Sequence, residues 1–374
     1  MQQAAPPPKI VKPGDAVSRR MRDILVVGAG PAGSHAARRC AEAGLDVLLL
    51  DAATFPRDKA CGGIVSEAAV RLVGTDVLSV AEREAVGNEL FYDWRRIGRL
   101  DVRVHCFKRR RFDHYLVRKA VAAGAELREG RRVTGVAVKP DRVVVAADGE
   151  AHEASLVIGA DGTNSVVGRA VGLSHHDGPW KYASIKAEVD LPPEGIAALG
   201  IEDPTPHQNT YFFSDLVGFG WVVPNAGSVN AGLGATVRHA AHLRERFLAF
   251  LRRLGLDPSD VRGAQIPYRP LPRVYADRVL LTGDAGGFVD PWTGCGIEDG
   301  IEASERAAAV ARRAADRGDF TAATLRAFQD ASADHLRRLR RRARWVQAVD
   351  FAMPVGAPFP RWVRQVVTVA ARLA

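Results

Sequence analysis

Residues 23–51, DILVVGAGPAGSHAARRCAEAGLDVLLLD, constrain this chain more than any other stretch. Ile24 to Val27 form a short apolar run, the mark of a buried strand. Ala32 to Glu42 are helix formers at apolar spacing, Gly44 is a natural helix stop, and Val47 to Leu50 are a second apolar run. Strand, helix and strand make a βαβ unit, which demands a parallel sheet with helices against it. The turn between strand and helix reads G-x-G-x-x-G. Gly28 permits the tight turn, Gly30 lets backbone approach a pyrophosphate, and Gly33 lets helix pack on strand. The helix N-terminus supplies free amides and a partial positive charge. Asp51 ends the second strand, 18 residues after Gly33, where it can accept from ribose hydroxyls.

Two further strand-turn-helix stretches follow. In IGADGTNSVVGRAVG, 158–172, an Asp-Gly pair comes directly after a buried strand, at the sheet's carboxyl edge. In RVLLTGDAGGFVDPWTGCGIEDGIEAS, 278–304, an apolar strand delivers Asp284 to the same edge, where it can hold a polyol hydroxyl. Gly294 and Gly296 then open a long helix, expected near 296–315, whose amides favour negative charge on a bound ring. Between these motifs the pattern changes. Residues 86–107 and 182–236 alternate polar and apolar, the period of antiparallel strands. A helix is expected over 112–123, short strands over 131–138 and 142–147, and helices after residue 321 with a break at MPVGAPFP.

The hydrophobic fraction of 47% and charged fraction of 25% are those of a globular protein. Residues 1–20 are polar and Pro-rich, and read as a flexible tail rather than a signal segment. No apolar run approaches the roughly 20 residues needed to span a bilayer. Cysteines 40, 61, 106 and 295 are too scattered for a disulfide framework, and neither they nor the ten histidines form a metal set. A reducing, cytoplasmic setting is expected. The net charge is +9, concentrated near 109 and in RRLRRRAR, 337–344. Leu336, Leu339, Ala343 and Val346 stand at helical spacing within the second run, which predicts an amphipathic helix with an arginine face. That face is either solvated or set against an anionic membrane. No nucleic-acid-binding motif accompanies the charge, so a nucleic-acid partner is not expected. His175 and His176 read as loop polarity.

The order of the three motifs resembles the FAD enzymes of the aromatic-hydroxylase (glutathione-reductase-like) fold. The details are similar to their geranylgeranyl reductase branch. Its Lys-x-Cys-Gly-Gly loop matches Lys59, Cys61, Gly62 and Gly63. Its Arg-x-x-Phe-Asp-x-x-Leu helix start matches Arg109, Phe112, Asp113 and Leu116. Its aromatic-x-Trp-x-x-Pro strand followed by Gly-x-Gly matches Phe219, Trp221, Pro224, Gly232 and Gly234. Phe219, Val223 and Cys295 depart from the residues common in archaeal members.

The resemblance implies a two-domain α/β fold: a Rossmann-like, FAD-binding parallel sheet interleaved with an antiparallel substrate-binding sheet, then C-terminal helices. Residues 21–85, 108–175 and 265–330 are assigned to the FAD-binding domain. Residues 86–107 and 176–264 are assigned to the substrate sheet, and 331–374 to a C-terminal helical segment. Non-covalent FAD would contact Gly28, Gly30, Ala32, Gly33, Asp51, Cys61, Gly62, Gly63, Arg109, Val133, Asp161, Gly162, Asp284, Gly294, Gly296 and Ile297. Tyr211, Phe213, Phe219, Trp221, Pro291 and Trp292 would wall an apolar substrate pocket. Cys61 has two open readings, a small packing residue and a proton donor. No second G-x-G-x-x-G occurs, so NAD(P)H or another reductant would visit the flavin transiently. The activity implied is reduction of a C=C bond in a prenyl or other apolar substrate. The alternative is oxygen chemistry through a flavin C4a-hydroperoxide, by a monooxygenase or halogenase-like enzyme.

Overall fold

The computed structural model describes residues 20–176, 178–202, 205–258 and 260–355. Apart from Arg20, the expected tail lies outside the described residues, as does the chain beyond residue 355. The strands are β1 (Arg22–Val27), β2 (Val47–Leu50), β3 (Ile64–Ser66), β4 (Arg83–Tyr92), β5 (Arg95–Cys106), β6 (Glu126–Arg128), β7 (Val133–Val138) and β8 (Val143–Ala147). They continue with β9 (Glu150–Gly159), β10 (Lys181–Asp190), β11 (Gln208–Phe213), β12 (Leu216–Asn225), β13 (Ser228–Thr236), β14 (Val261–Pro267), β15 (Tyr275–Ala276) and β16 (Val279–Leu281). The helices are α1 (Pro31–Glu42), α2 (Glu67–Val73), α3 (Arg109–Ala122), α4 (Val166–Ala170), α5 (Pro193–Ala198), α6 (Leu243–Arg253), α7 (Ile297–Arg317), α8 (Ala322–Ala331) and α9 (Ala333–Ala352).

The first sheet runs β15-β16-β9-β1-β2-β6, with the β7–β8 hairpin attached to β9. Its central strands pair in parallel, and every residue of β2 and β16 is buried, as expected where helices cover both faces. Register decides what this sheet can bind. Val27 lies opposite both Leu50 and Gly159, and Gly159 lies opposite Leu281. The carboxyl ends of four strands are therefore level, and Gly28, Asp51, Asp161 and Asp284 emerge at one edge. On one side α1 packs against both α3 and α7.

The second sheet runs β14-β10-β13-β12-β11-β4-β5-β3 and is antiparallel except between β4 and β11. Its limits differ from those expected. It takes in Ile64–Ser66, begins β4 at Arg83 rather than 86, and ends at Pro267 rather than 264. The reason is the length of β5. Val104–Cys106 pair with Ile64–Ser66 on one side and with Arg83–Ala85 on the other, which draws both segments into the sheet. Phe247, Phe250 and Leu251 of α6 bury one face of this sheet.

The arginine run falls on α9 as expected, with Leu336, Leu339 and Ala343 buried. The helix is not a single solvated cationic face, however. Arg342 pairs with Asp290, Arg338 lies 3.3 Å from Asp299, and Arg340 donates to the Leu271 carbonyl at 2.9 Å. Arg337, Arg341 and Arg344 face outward beside Trp345, which is 59% exposed. No described helix is long and apolar enough to cross a membrane.

Candidate active site

The glycine turn shows which of its residues the fold needs and which it leaves to a ligand. Gly28 has φ +94°, and a Cβ there would lie 2.4 Å from the Ala160 carbonyl oxygen. A Cβ on Gly33 would lie 1.8 Å from the Gly28 oxygen. Both are fixed by packing. Gly30 is different: its nearest neighbour would be Arg57 Nη2, at 3.8 Å. Nothing in the protein requires glycine there, and the open space faces the N-terminus of α1. Ala32 packs within α1 against Gly283 and Gly300, where added Cβ atoms would come within 2.9 and 3.3 Å of its own. Arg57 was not legible as a site residue. Its Nη1 is ion-paired to buried Asp113 at 3.1 Å, and its Nη2 is the group that faces the open glycine.

Asp51 accepts from the amides of Ala29 at 2.7 Å and Ala53 at 2.8 Å, which holds the carboxylate beside the turn. Val133 opens β7, and the amide of nearby Arg131 donates to the Asp51 carbonyl at 2.7 Å. This brings the start of β7 beside the end of β2. Asp161 makes local hydrogen bonds beyond the end of β9. Its carboxylate accepts from Ser165 Oγ and the Val166 amide, each at 2.6 Å, and from the Val167 amide at 3.2 Å. It caps α4, and Gly162 carries the chain through the turn with φ +81°. Burial raises the Asp161 carboxyl's pKa, and those hydrogen bonds oppose the rise.

Asp284 comes to the same edge with its carboxyl raised by burial, against the pull of Lys59, Arg109 and Thr163. A Cβ on Gly296 would lie 3.1 Å from Asp284 Oδ1. The start of α7, from Gly296 and Ile297, therefore stands directly over this carboxylate, and Gly294 shapes the turn before it. Arg109 forms a fork to Asp113, Nε to Oδ1 and Nη2 to Oδ2, both 2.7 Å. Burial opposes the guanidinium's charge, but Asp113 and the Cys61 thiol outweigh it and hold its pKa above the ordinary value.

The K-x-C-G-G loop is pinned from both sides. A Cβ on Gly63, which has φ +74°, would lie 2.1 Å from the Phe107 carbonyl oxygen. Gly62 lies against the Trp221 indole. Trp221 Nε1 donates to Asn230 Oδ1 at 2.8 Å, and Asn230 Nδ2 donates to the Cys61 carbonyl at 3.0 Å. Asn230 is a positioning residue that the sequence reading passed over, although it stands two residues before Gly232. Gly232 has its own reason: Trp221 faces it across the strands, and a Cβ there would lie 2.0 Å from Trp221 Cζ2. Cys295 is exposed on the turn before α7, and its amide donates to Thr293 Oγ1 at 3.2 Å.

The expected pocket wall divides. Trp221 and Phe219 alternate along β12 onto one face, with ring centroids 6.2 Å apart. Tyr211 and Phe213 lie on the other face, in the core with Trp94 and Phe250. Tyr211 lines a separate cavity of about 570 Å³ there. Side chains one position apart point to opposite faces, so proximity in sequence does not place the four rings in one wall. The Pro291 carbonyl accepts from Tyr182 at 2.7 Å, and Trp292 is capped by the Arg342 guanidinium, 4.8 Å from its ring centroid. His175 is buried rather than a solvated loop residue, and burial holds its pKa down at about 4. His335 meets Asp299 at 2.5 Å and Glu302 at 3.4 Å, but Arg306 and Arg338 occupy this cluster as counter-charges.

The donors at the carboxyl edge fit FAD. An uncrowded glycine and a guanidinium lie at a helix N-terminus, and carboxylates stand level at two other strand ends. The family model described as "FAD binding domain" matches residues 21–318. The chain is 31% identical over 333 residues to digeranylgeranylglycerophospholipid reductase 2 of Methanopyrus kandleri, covering 82% of this chain and 81% of that protein. It is 30% identical over 338 residues to menaquinone reductase of Mycobacterium tuberculosis, covering 76% and 75%. Its fold is similar to a geranylgeranyl bacteriochlorophyll reductase-like protein of Thermoplasma acidophilum, with a TM-score of 0.76, 22% identity and 88% of each chain covered. With the FAD model spanning both sheets and the K-x-C-G-G loop held against the cofactor edge, the chain belongs to the geranylgeranyl reductase family of FAD-dependent oxidoreductases.

Proposed function

We propose that this enzyme saturates C=C bonds of a prenyl or other apolar substrate. The observation that carries the reading is the Cys61–Gly63 loop, packed on the Phe107 carbonyl and tied through Asn230 and Trp221 to the second sheet. The names of the reductases it resembles, which refer to isoprenoid lipids, support the same substrate class. Bound FAD, once reduced, supplies the hydride for one alkene carbon. Gly30, Arg57 and the α1 N-terminus would hold its diphosphate, Asp51 its ribose and Asp284 its polyol chain. The α7 N-terminus would favour negative charge on the reduced ring. Trp221 and Phe219 present an apolar face and exclude water. Cys61 stands where it can give the second carbon its proton, with water as the substitute. A reduced nicotinamide cofactor is the proposed electron donor. The outward arginines of α9, with Trp345, are proposed to bring the enzyme to an anionic membrane that carries the substrate.

Anaerobic incubation of dithionite-reduced enzyme with candidate prenyl compounds, read by mass spectrometry, tests the activity. Products heavier by two hydrogens are expected. Products that gain one oxygen, formed only in air, would overturn the reading in favour of oxygen chemistry.

A further inference from the structure

Two cavities open on opposite faces of the second sheet. One, of about 410 Å³ and with largely basic walls, lies beside Cys61 and the start of α3 and belongs to the site described above. The other, of about 570 Å³, lies on the face that α6 covers. Register places it there. Asn209 stands opposite Val222 of β12 and Glu89 of β4, and Tyr211 stands opposite Phe91, so these side chains share the face away from Trp221. Leu199, at the end of α5, and Leu254, at the end of α6, close its sides. No step of the proposed reaction uses it.

Its floor holds an acceptor without a donor. Asn209 is 3% exposed, and its Nδ2 donates to the Tyr211 hydroxyl at 3.2 Å. Its Oδ1 is buried with no hydrogen-bond partner among the described residues. A buried amide oxygen left in this state destabilises the fold, and a ligand that donates to it removes the penalty. The neighbouring carboxylate does not share the problem. Glu89 accepts from Arg96 at 3.1 Å and from Arg99 at 3.2 Å. The arginines thus satisfy Glu89 and leave Asn209 as it is.

The walls are aromatic. Phe91 and Tyr211 stack with centroids 4.8 Å apart, and Trp94 tilts against Tyr211 at 5.2 Å. Trp94 reaches this position through an uncommon backbone. It follows Asp93 in the β4–β5 hairpin, with φ +46° at Asp93 and +68° at Trp94, a region that bulky side chains rarely adopt. The exposed Arg253 guanidinium lies over Trp94, 4.5 Å from its centroid, and has no acidic partner among the described residues. The cavity therefore offers an acceptor at its buried end, flat rings along its walls and a cation at its exposed end. A planar aromatic molecule with an O–H or N–H donor at one end and a carboxylate at the other complements all three.

We propose that this cavity is a second ligand site, which takes an aromatic acid of this kind with its donor on Asn209 Oδ1 and its carboxylate at Arg253. The site lies across the sheet from the K-x-C-G-G loop and does not depend on which bond the enzyme reduces.

The test is calorimetric titration of FAD-loaded enzyme with 6-hydroxy-2-naphthoate, which carries both groups on a two-ring plane, and with 2-naphthoate, which lacks the hydroxyl. Saturable binding of the hydroxylated probe is expected, about tenfold tighter than that of 2-naphthoate. Asn209→Leu removes the acceptor at nearly constant volume, so it should bring the two probes to equal affinity at unchanged flavin content. Arg253→Gln should weaken both probes about threefold. Equal affinities for the two probes in wild type would overturn the proposal, as would a preference for the hydroxylated probe that survives Asn209→Leu. Binding that alters the flavin's absorbance and is unmoved by both substitutions would place the probe at the reaction site and overturn it too. The exposed Arg253→Gln variant keeps the test decisive should the buried substitution not fold: unchanged affinity for both probes in that protein would overturn the proposal.

Discussion

Single residues of the glycine turn separate the needs of the fold from those of the ligand. A side chain at Gly33 collides with backbone, whereas one at Gly30 meets only the tip of Arg57. Gly30→Val is therefore expected to leave thermal stability within about 1 kcal/mol of wild type, as at an uncrowded position. FAD occupancy measured by absorbance should fall sharply. A Gly30→Val protein that keeps its full yellow complement would show that the diphosphate lies elsewhere. Cys61 is the second residue whose role is open to measurement. Its carbonyl is fixed by Asn230, which leaves its thiol beside Arg109. Cys61→Ala should keep FAD and lose about 10- to 100-fold in single-turnover oxidation by substrate, the low end of a general-acid contribution. An unchanged rate would mean that the loop serves shape alone. His175 is titratable but buried, with its pKa near 4 in the folded chain against an ordinary 6.5. The unfolded chain binds this proton more readily, so the stabilisation is fully present above about pH 6.5. It is lost as the pH falls toward 4, by up to about 3 kcal/mol. Denaturant midpoints measured from pH 7 to 4 should fall less steeply in His175→Gln, and parallel slopes in the two proteins would refute this assignment.

At the scale of elements, the link between β13 and the K-x-C-G-G loop carries the architecture of the site. Asn230 accepts from Trp221 and donates to both the Cys61 carbonyl and Glu188 Oε2, the latter at 3.1 Å. Asn230→Ala leaves three buried or half-buried polar groups without this partner. The expected cost is about 1–3 kcal/mol in unfolding free energy, and a fall in kcat larger than any change in flavin affinity. Loss of flavin with no loss of turnover per bound FAD would instead place Asn230 in cofactor binding. Strand alternation also explains the divided aromatic wall. Trp221 pairs with Gly232 and lies over it, whereas Tyr211 pairs with Gly220 on the face that α6 covers. The two rings are similar in chemistry and differ in side because the register sets Tyr211 opposite Gly220, one position before Trp221.

Among the described residues, basic side chains gather in two regions, the cavity at the start of α3 and the outer side of α9. The inner arginines of α9 hold the helix to the loop around Asp290 and to the first turn of α7. The outer ones, with Trp345 and the 63% exposed Phe351, form the surface proposed to meet a membrane. Sedimentation with anionic vesicles at physiological salt should exceed that with neutral vesicles, and Arg341→Glu/Arg344→Glu should abolish the difference. Equal sedimentation with both vesicle types would remove the membrane from the account.

The strands and helices around each motif were legible because local patterns define them: apolar runs for β1, β2 and β16, helical spacing for α1, α7 and α9. The three-motif order likewise pointed to FAD without any knowledge of contacts. What the sequence could not determine depends on partners distant in the chain. Asp161 faces both a sheet edge and the start of α4, and only the fold directs its carboxylate to the cap. Arg57 and Asn230 lie within or beside motifs, but their roles come from Gly30, Asp113 and Cys61, up to 169 residues away. The borders of the second sheet followed the length of β5, and the sides taken by Tyr211 and Trp221 followed strand register. Backbone propensity and spacing act over a few residues and were written in the chain. Side-chain direction, charge pairing and the basic cavity beside Cys61 are properties of surfaces that exist only once distant segments are packed together.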